Sequence, residues 1–167
     1  MFERDGLSKA ELQRQVQALL PRAAGYAWTI VGNREDAEDA VQEAAMKAYL
    51  SRKNFDRNRP FKGWWFSILR NCCLDLLRRR RSRPAVPLVD GGELPARESP
   101  VRDEHEDLGQ ALEQLSASHR EILELRYFGD CSYRDIAAVL GIPAGTVMSR
   151  LHSAREALAA ILRKEGA

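Results

Sequence analysis

Little in this sequence points to covalent chemistry or to a membrane. Only three of the 167 residues are cysteines, Cys72, Cys73 and Cys131. An odd number with an adjacent pair fits neither a disulfide framework nor zinc-ligand spacing, so all three read as thiols in partly apolar helical or turn settings. No apolar run approaches the roughly 18 residues that span a bilayer, and residues 1–5 lack the basic-then-apolar profile of a secretory signal. A cytoplasmic protein with no membrane insertion of its own is expected. There is no strand-like alternation, hydrolytic triad or P-loop, and Gly141-Ile142-Pro143-Ala144-Gly145 has the wrong spacing for a dinucleotide fingerprint. These absences point away from an enzyme and predict no cofactor. Net charge is also scarce, at +2 from 26 basic and 24 acidic residues, so any polyanionic partner must be argued from where the charges lie.

An apolar content of 44% supports one modest core or two small ones, and punctuation along the chain favours two. Residues 84–104 hold Pro84, Pro87, Pro95, Pro100 and the pair Gly91-Gly92, with a net charge of −3. They read as a flexible acidic linker between domains at 1–83 and 105–167. Both halves read as all-α. In the first, Ser8-Lys9-Ala10-Glu11 is a capping box, Pro21 opens a second segment, and Asn33 caps a third. That third helix buries Ala37, Ala40, Val41, Ala44, Ala48 and Tyr49 on one stripe. A fourth runs from near Pro60 to about Arg81, with Phe61, Trp65, Ile68, Cys72 and Leu76 inward.

The second half carries a helix with Leu108, Ala111, Leu112 and Leu115, then a capping box Ser118-His119-Arg120-Glu121 ahead of a helix reaching Phe128. Another box, Ser132-Tyr133-Arg134-Asp135, precedes Ile136, Ala137 and Leu140. A Gly141-Ile142-Pro143 turn then leads to a helix with Val147, Leu151, Ala154 and Leu158 on one face, which is helix-turn-helix spacing.

Three polar surfaces emerge. Opposite the Val147/Leu151 stripe lie Gly145, Thr146, Ser149, His152 and Ser153, flanked by Met148, Arg150 and Arg155, a face suited to a major groove with arginines toward phosphates. On the fourth helix six arginines stand against Asp75 between Arg70 and Arg83. Its outer face carries Ser67, Arg70, Asn71 and Arg78, with Trp64 at the border. The basic loop before it holds Asn54, Arg57, Asn58 and Lys62, and such a mixture of amides, arginines and aromatics suits splayed single-stranded DNA. Trp64 and Trp65 read as core more than as stacking platforms, and the arginines also fit a solvated helix end. The third surface, Asp36, Asp39, Gln42 and Glu43, has carboxylate spacing that a metal could use. No histidine accompanies it, however, and helix-dipole complementarity explains the acids without a metal, so a protein docking face is the better reading.

Two segments are recognisable together: Asp36-Ala37-Glu38-Asp39-Ala40-Val41-Gln42-Glu43, and Leu125-Arg126-Tyr127-Phe128 followed by Ser132-Tyr133-Arg134-Asp135-Ile136-Ala137 and Gly145-Thr146-Val147-Met148-Ser149-Arg150-Leu151. They resemble regions 2 and 4 of extracytoplasmic-function (ECF) sigma factors. Trp64-Trp65-Phe66-Ser67-Ile68-Leu69-Arg70-Asn71 is similar to the family's tryptophan-to-asparagine segment. The resemblance implies a four-helix region 2 domain and a helix-turn-helix region 4 domain. It implies a monomer when free, acting with core RNA polymerase, promoter DNA and an anti-sigma factor.

By the same resemblance, Asp36, Asp39, Gln42, Glu43 and Met46 would dock on the clamp helices of the polymerase largest subunit, with the flap as a further contact. Asn54, Arg57, Asn58, Lys62, Trp64, Ser67, Arg70, Asn71 and Arg78 would handle the melted −10 element. Gly145, Thr146, Met148, Ser149, Arg150, His152, Ser153 and Arg155 would read the −35 element. Met148, His152 and Ser153 depart from the residues common in the family, which bears on the −35 sequence rather than on docking. A sigma-like decoy, a conventional helix-turn-helix regulator and a nuclease are the rival readings.

Overall fold

The computed structural model describes residues 6–82 and 106–165; the linker reading at 84–104, and Arg83, lie outside them. Helices α1 (Lys9–Val31), α2 (Arg34–Ser51) and α3 (Phe61–Ser82) form the first half, with a short 3-10 turn at Arg52–Asn54. The second half holds α4 (Glu106–Gln114), α5 (Ala117–Leu123), a π-helical segment Glu124–Phe128, α6 (Tyr133–Leu140) and α7 (Ala144–Glu165).

The caps explain most of these boundaries. Ser8 and Glu11 exchange side-chain and backbone hydrogen bonds at the start of α1, and Asn33 Oδ1 accepts from the Asp36 amide at the start of α2. Ser132 and Asp135 repeat the box on α6. Gly141, at φ +64°, ends α6 in the left-handed conformation, which costs glycine nothing and lets the chain turn into α7.

Two starts differ from expectation. Pro21 opens no new helix: it lies inside one continuous α1, and both it and Gln17, four residues earlier, are exposed, so water can take the place of the missing backbone hydrogen bond. The first half therefore has three long helices and a 3-10 turn where four helices were expected. In the second half α5 is capped by Ser116, whose hydroxyl accepts from the His119 amide, and not by Ser118. This frees the Glu121 carboxylate to reach out of its own half.

The alanines of α2 (Ala37, Ala40, Ala44, Ala48) are buried and let α1 and α3 approach closely, but Tyr49 is exposed. On α3, Trp65, Phe66, Leu69, Cys72 and Cys73 are all fully buried, and Tyr26 of α1 meets the Phe66 ring edge-on at 5.3 Å. That buried arc is wider than the single stripe expected from periodicity. α3 is covered on two sides: by α1 and α2 of its own half, and by α6 of the other. All three cysteines are free and buried, and burial pushes the Cys73 and Cys131 thiols up to about 12. Among the described residues no strand forms, and no helix is long and apolar enough to cross a membrane.

Candidate nucleic-acid and polymerase interfaces

The outer face of α7 is open. Val147, Leu151 and Ala154 are fully buried against the rest of the second half, and this fixes the helix's rotation. Gly145, Met148, Ser149, Arg150, His152, Ser153 and Arg155 are then exposed together, with Thr146 half-buried at their edge. Arg150 points to solvent and is no packing residue. Arg155 donates to the Tyr127 hydroxyl at 3.3 Å, which holds its guanidinium toward the π-helical segment. Tyr127 and Phe128 are themselves exposed.

The basic loop ahead of α3 forms an open pocket of about 610 Å³, with Asn54, Arg57, Asn58 and Arg59 around its rim and Phe55 and Trp64 at its floor. Phe55 is buried, and its ring lies 4.9 Å from Trp64 and 5.9 Å from Phe61, so the floor is a packed aromatic cluster. Trp64 is half-buried and lines this pocket, whereas Trp65 belongs wholly to the core. Aromatic rings beside amide and guanidinium groups are side chains of the kind that stack on and hydrogen-bond an unstacked base, although here the rings are tilted to one another by 54–70°.

The outer face of α3 is occupied by the other half of the chain. Lys62 Nζ donates to the Asp130 carbonyl at 2.7 Å and faces its carboxylate at 3.3 Å. Ser67 Oγ reaches the Gly63 and Ala138 carbonyls. Arg70 Nε donates to Glu121 Oε1 at 2.7 Å, and the same oxygen accepts from the Tyr26 hydroxyl at 2.8 Å. The hydrogen bond to Glu121 holds the Arg70 guanidinium above its usual range, and burial, reinforced by the Glu121 charge, raises the Tyr26 phenol.

At the start of α3 the Gly63 amide donates to Asp135 Oδ1 at 2.9 Å, so one carboxylate serves both α6 and α3. A Cβ on Gly63 would stand 3.1 Å from the Asp135 Cα. Asn71, one residue beyond Arg70, is exposed.

Much of the arginine run at the end of α3 is paired with acids of the first half. Arg78 pairs with Asp75, Arg79 with Glu43, and Arg80 with Asp36. These pairs also alter the acidic face of α2. Glu43 is shared by Lys47 and Arg79, with the Lys47 hydrogen bond foremost in lowering its pKa, while Asp36 is nearly buried. Asp39, Gln42 and Met46 remain exposed and form the free part of that face, with Leu50 beside them. Among the described residues no cluster of His, Cys, Asp and Glu could hold a metal ion.

The sequence reading missed Phe55 as the pocket floor, and it missed Glu121, Asp130 and Asp135 as partners of α3. The spacing of Phe55, Phe61 and Trp64 was a usable signal for the first. The carboxylates carried none, because they lie between 51 and 72 residues from their partners.

Residues 15–83 match the family model for Sigma-70 region 2, and residues 105–158 that for Sigma-70 region 4. The chain is 36% identical over 148 residues to the ECF RNA polymerase sigma factor SigL of Mycobacterium tuberculosis, covering 84% of this chain and 82% of that protein. The chain belongs to the ECF branch of the sigma-70 family. It is 30% identical over 150 residues to the ECF sigma factor SigW of Bacillus subtilis, covering 81% and 80% of the two.

Among solved structures, the sigma factor RpoE in complex with the anti-sigma factor NepR, from Bartonella quintana, superposes with a TM-score of 0.70 at 30% identity. That match covers 90% of this chain and 96% of the other. CnrH in complex with the cytosolic domain of CnrY gives 0.67 at 27% identity, covering 94% and 90%. As a sigma factor, this chain directs promoter-specific transcription initiation by bacterial RNA polymerase.

Proposed function

We propose that this sigma factor divides its work among the surfaces described above, with domains at 1–83 and 105–167 and a joining segment at 84–104. Asp39, Gln42 and Met46 dock on the core polymerase, with Asp36 and Glu43 holding that face in place. The Phe55/Trp64 pocket and Asn71 receive unpaired bases of the −10 element, and the outward face of α7 enters the major groove of the −35 element. The chain supplies no catalytic group, metal or cofactor, acts in the cytoplasm and is a monomer when free.

The observation that carries this reading is the pocket in front of α3. A conventional helix-turn-helix regulator reads duplex DNA and has no use for an open recess of amides, guanidinium groups and packed aromatic rings in a second domain. Carboxylates and backbone groups of the other half cover Lys62, Ser67 and Arg70, so the two halves must part before this face can meet DNA. Control by an anti-sigma factor fits that requirement, since a partner bound across both halves would hold them together.

Run-off transcription with purified core polymerase tests the assignment. The wild-type chain should direct initiation from its own promoter, and Asp39→Arg with Gln42→Arg should lower core affinity at least tenfold while leaving the helical content intact. Unchanged affinity in the double variant would remove the docking face from α2.

A further inference from the structure

Arg57 lies on the rim of the base pocket, yet its guanidinium faces the protein. Nη2 donates to the Gly6 carbonyl at 3.1 Å and to the Glu11 carboxylate at 3.0 and 3.1 Å. Glu11 is the same residue that closes the capping box at the start of α1, where its carboxylate accepts from the Ser8 amide at 2.8 Å. The Ser8 backbone, the Ser8 hydroxyl and Arg57, in that order, hold the Glu11 carboxyl down at about 2.

Two backbone contacts complete the connection. The Leu7 amide donates to the Arg52 carbonyl at 2.9 Å, and Gly6 runs so close to the 3-10 turn that a Cβ there would stand 2.3 Å from the Lys53 carbonyl oxygen. Leu7 is buried, which anchors the segment. Residues 6–8 thus cross behind the loop that carries Asn54, Arg57 and Asn58, and are pinned to it from both sides.

We infer that Glu11, Arg57 and the Gly6–Ser8 backbone form a brace that positions the base-reading loop, so that Arg57 acts as a positioning residue and not as a phosphate contact. The inference rests on the proposed role of the pocket as a base receptor. A loop that presents backbone and amide donors to an unstacked base gains selectivity from being held before the base arrives, since ordering it on binding would cost affinity for every base alike. Within the loop, the Asn58 amide donates to Asp56 Oδ1 at 2.9 Å and the Arg59 amide to the Asp56 carbonyl at 2.9 Å, so the turn has its own geometry. The brace fixes where that turn sits relative to Trp64.

The test uses the full chain bound to core polymerase and a pool of bubble templates whose unpaired −10 segment is randomised, with the sequence profile of the bound fraction as readout. Glu11→Asp is the informative variant. Aspartate can still close a capping box, as Asp135 does with Ser132 in this same chain, but it withdraws the carboxylate from Arg57. Glu11→Asp and Arg57→Gln should each flatten the base preference about two- to fivefold, and the double variant should flatten it no further. Core binding and −35 duplex binding should be unchanged.

Trp64→Ala serves as the reference for the pocket itself. If Trp64→Ala flattens the profile and the brace variants do not, the brace is refuted while the pocket stands; if Trp64→Ala leaves the profile intact, the pocket reading fails first. A uniform loss on all templates with Arg57→Gln, together with a salt dependence reduced by about one counterion, would make Arg57 a phosphate ligand and overturn the inference. A lowered melting temperature with an unchanged profile would reduce Glu11 to a helix cap and overturn it equally.

Discussion

The two surfaces assigned to promoter DNA are prepared in opposite ways. The outer face of α7 is bare: its buried stripe of Val147, Leu151 and Ala154 fixes the orientation, and nothing among the described residues covers Ser149, Arg150 or His152. The outer face of α3 is closed, with Lys62, Ser67 and Arg70 engaged by Asp130, the Ala138 carbonyl and Glu121. Only part of the surface proposed for melted DNA, the Lys62/Ser67/Arg70 stretch, is therefore shielded in the free chain, while its pocket, Asn71 and the α7 face stay open. That shielding follows from the second half using its own caps and carboxylates against the first.

Opening that interface should produce the largest effect. Glu121→Ala leaves the Tyr26 hydroxyl and the Arg70 guanidinium without their shared acceptor, and a half-buried charged pair broken on one side costs roughly 2–3 kcal/mol. The closed arrangement should lose a factor of about 30 or more against the open one. Binding of single-stranded −10 oligonucleotides by the full chain should rise accordingly, and the radius of gyration in small-angle scattering should grow. Gly63→Val is an independent wedge at the same interface, because its Cβ would press on the Asp135 backbone. If both variants remain folded and compact, with oligonucleotide binding unchanged, closure is not what silences α3, and the contrast between the two faces collapses.

This contrast also marks what could be read from the sequence. The caps at Ser8, Asn33 and Ser132 were legible because each is confined to four consecutive residues, and so was the α7 stripe, where one helix packs on one side. Pro21 misled because the rule against interior prolines counts a lost hydrogen bond, while here Pro21 and Gln17 both lie on the exposed side of α1, where water can replace it. Ser118 misled because Glu121 completes a good local box on paper and is drawn instead to Arg70, a preference that only tertiary structure creates. Phe66, Leu69 and Cys73 escaped the expected α3 stripe for the same reason, since a helix covered from two sides has no single apolar face. Likewise the arginine run was visible as charge, but its partners Asp36 and Glu43 lie on another helix.

A smaller effect separates recognition from packing on α3 itself. Asn71 is exposed beside the closed stretch. Asn71→Ala should slow promoter opening on duplex templates by about tenfold, with a smaller loss on templates melted in advance, because an amide can hydrogen-bond a base edge only after the base has left the stack. Single-turnover opening measured on the two template types checks this. Equal losses on both would place Asn71 among the structural residues and leave the pocket to do the reading alone.

The smallest and most selective effects belong to the open face of α7, where the exposed side chains divide by chemistry. Arg150 is a long cation free to follow a phosphate, so Arg150→Ala should weaken binding to every duplex and lower the salt dependence by about one counterion. His152 is short and sits one turn on from Met148 along the outward face, within the stretch a groove-inserted helix turns toward base edges. His152→Ala should cost about 1–3 kcal/mol at particular base pairs and little elsewhere. Because Arg150 is exposed, its removal should leave the melting temperature unchanged, which separates a DNA contact from a packing role. Binding curves for a set of −35 variants at several salt concentrations decide the matter. A uniform shift for His152→Ala, or an altered base preference for Arg150→Ala, would invert the two roles and require α7 to be seated in the groove with a different rotation. The buried Val147/Leu151/Ala154 stripe permits little such rotation, so that outcome would count against groove insertion by α7 altogether.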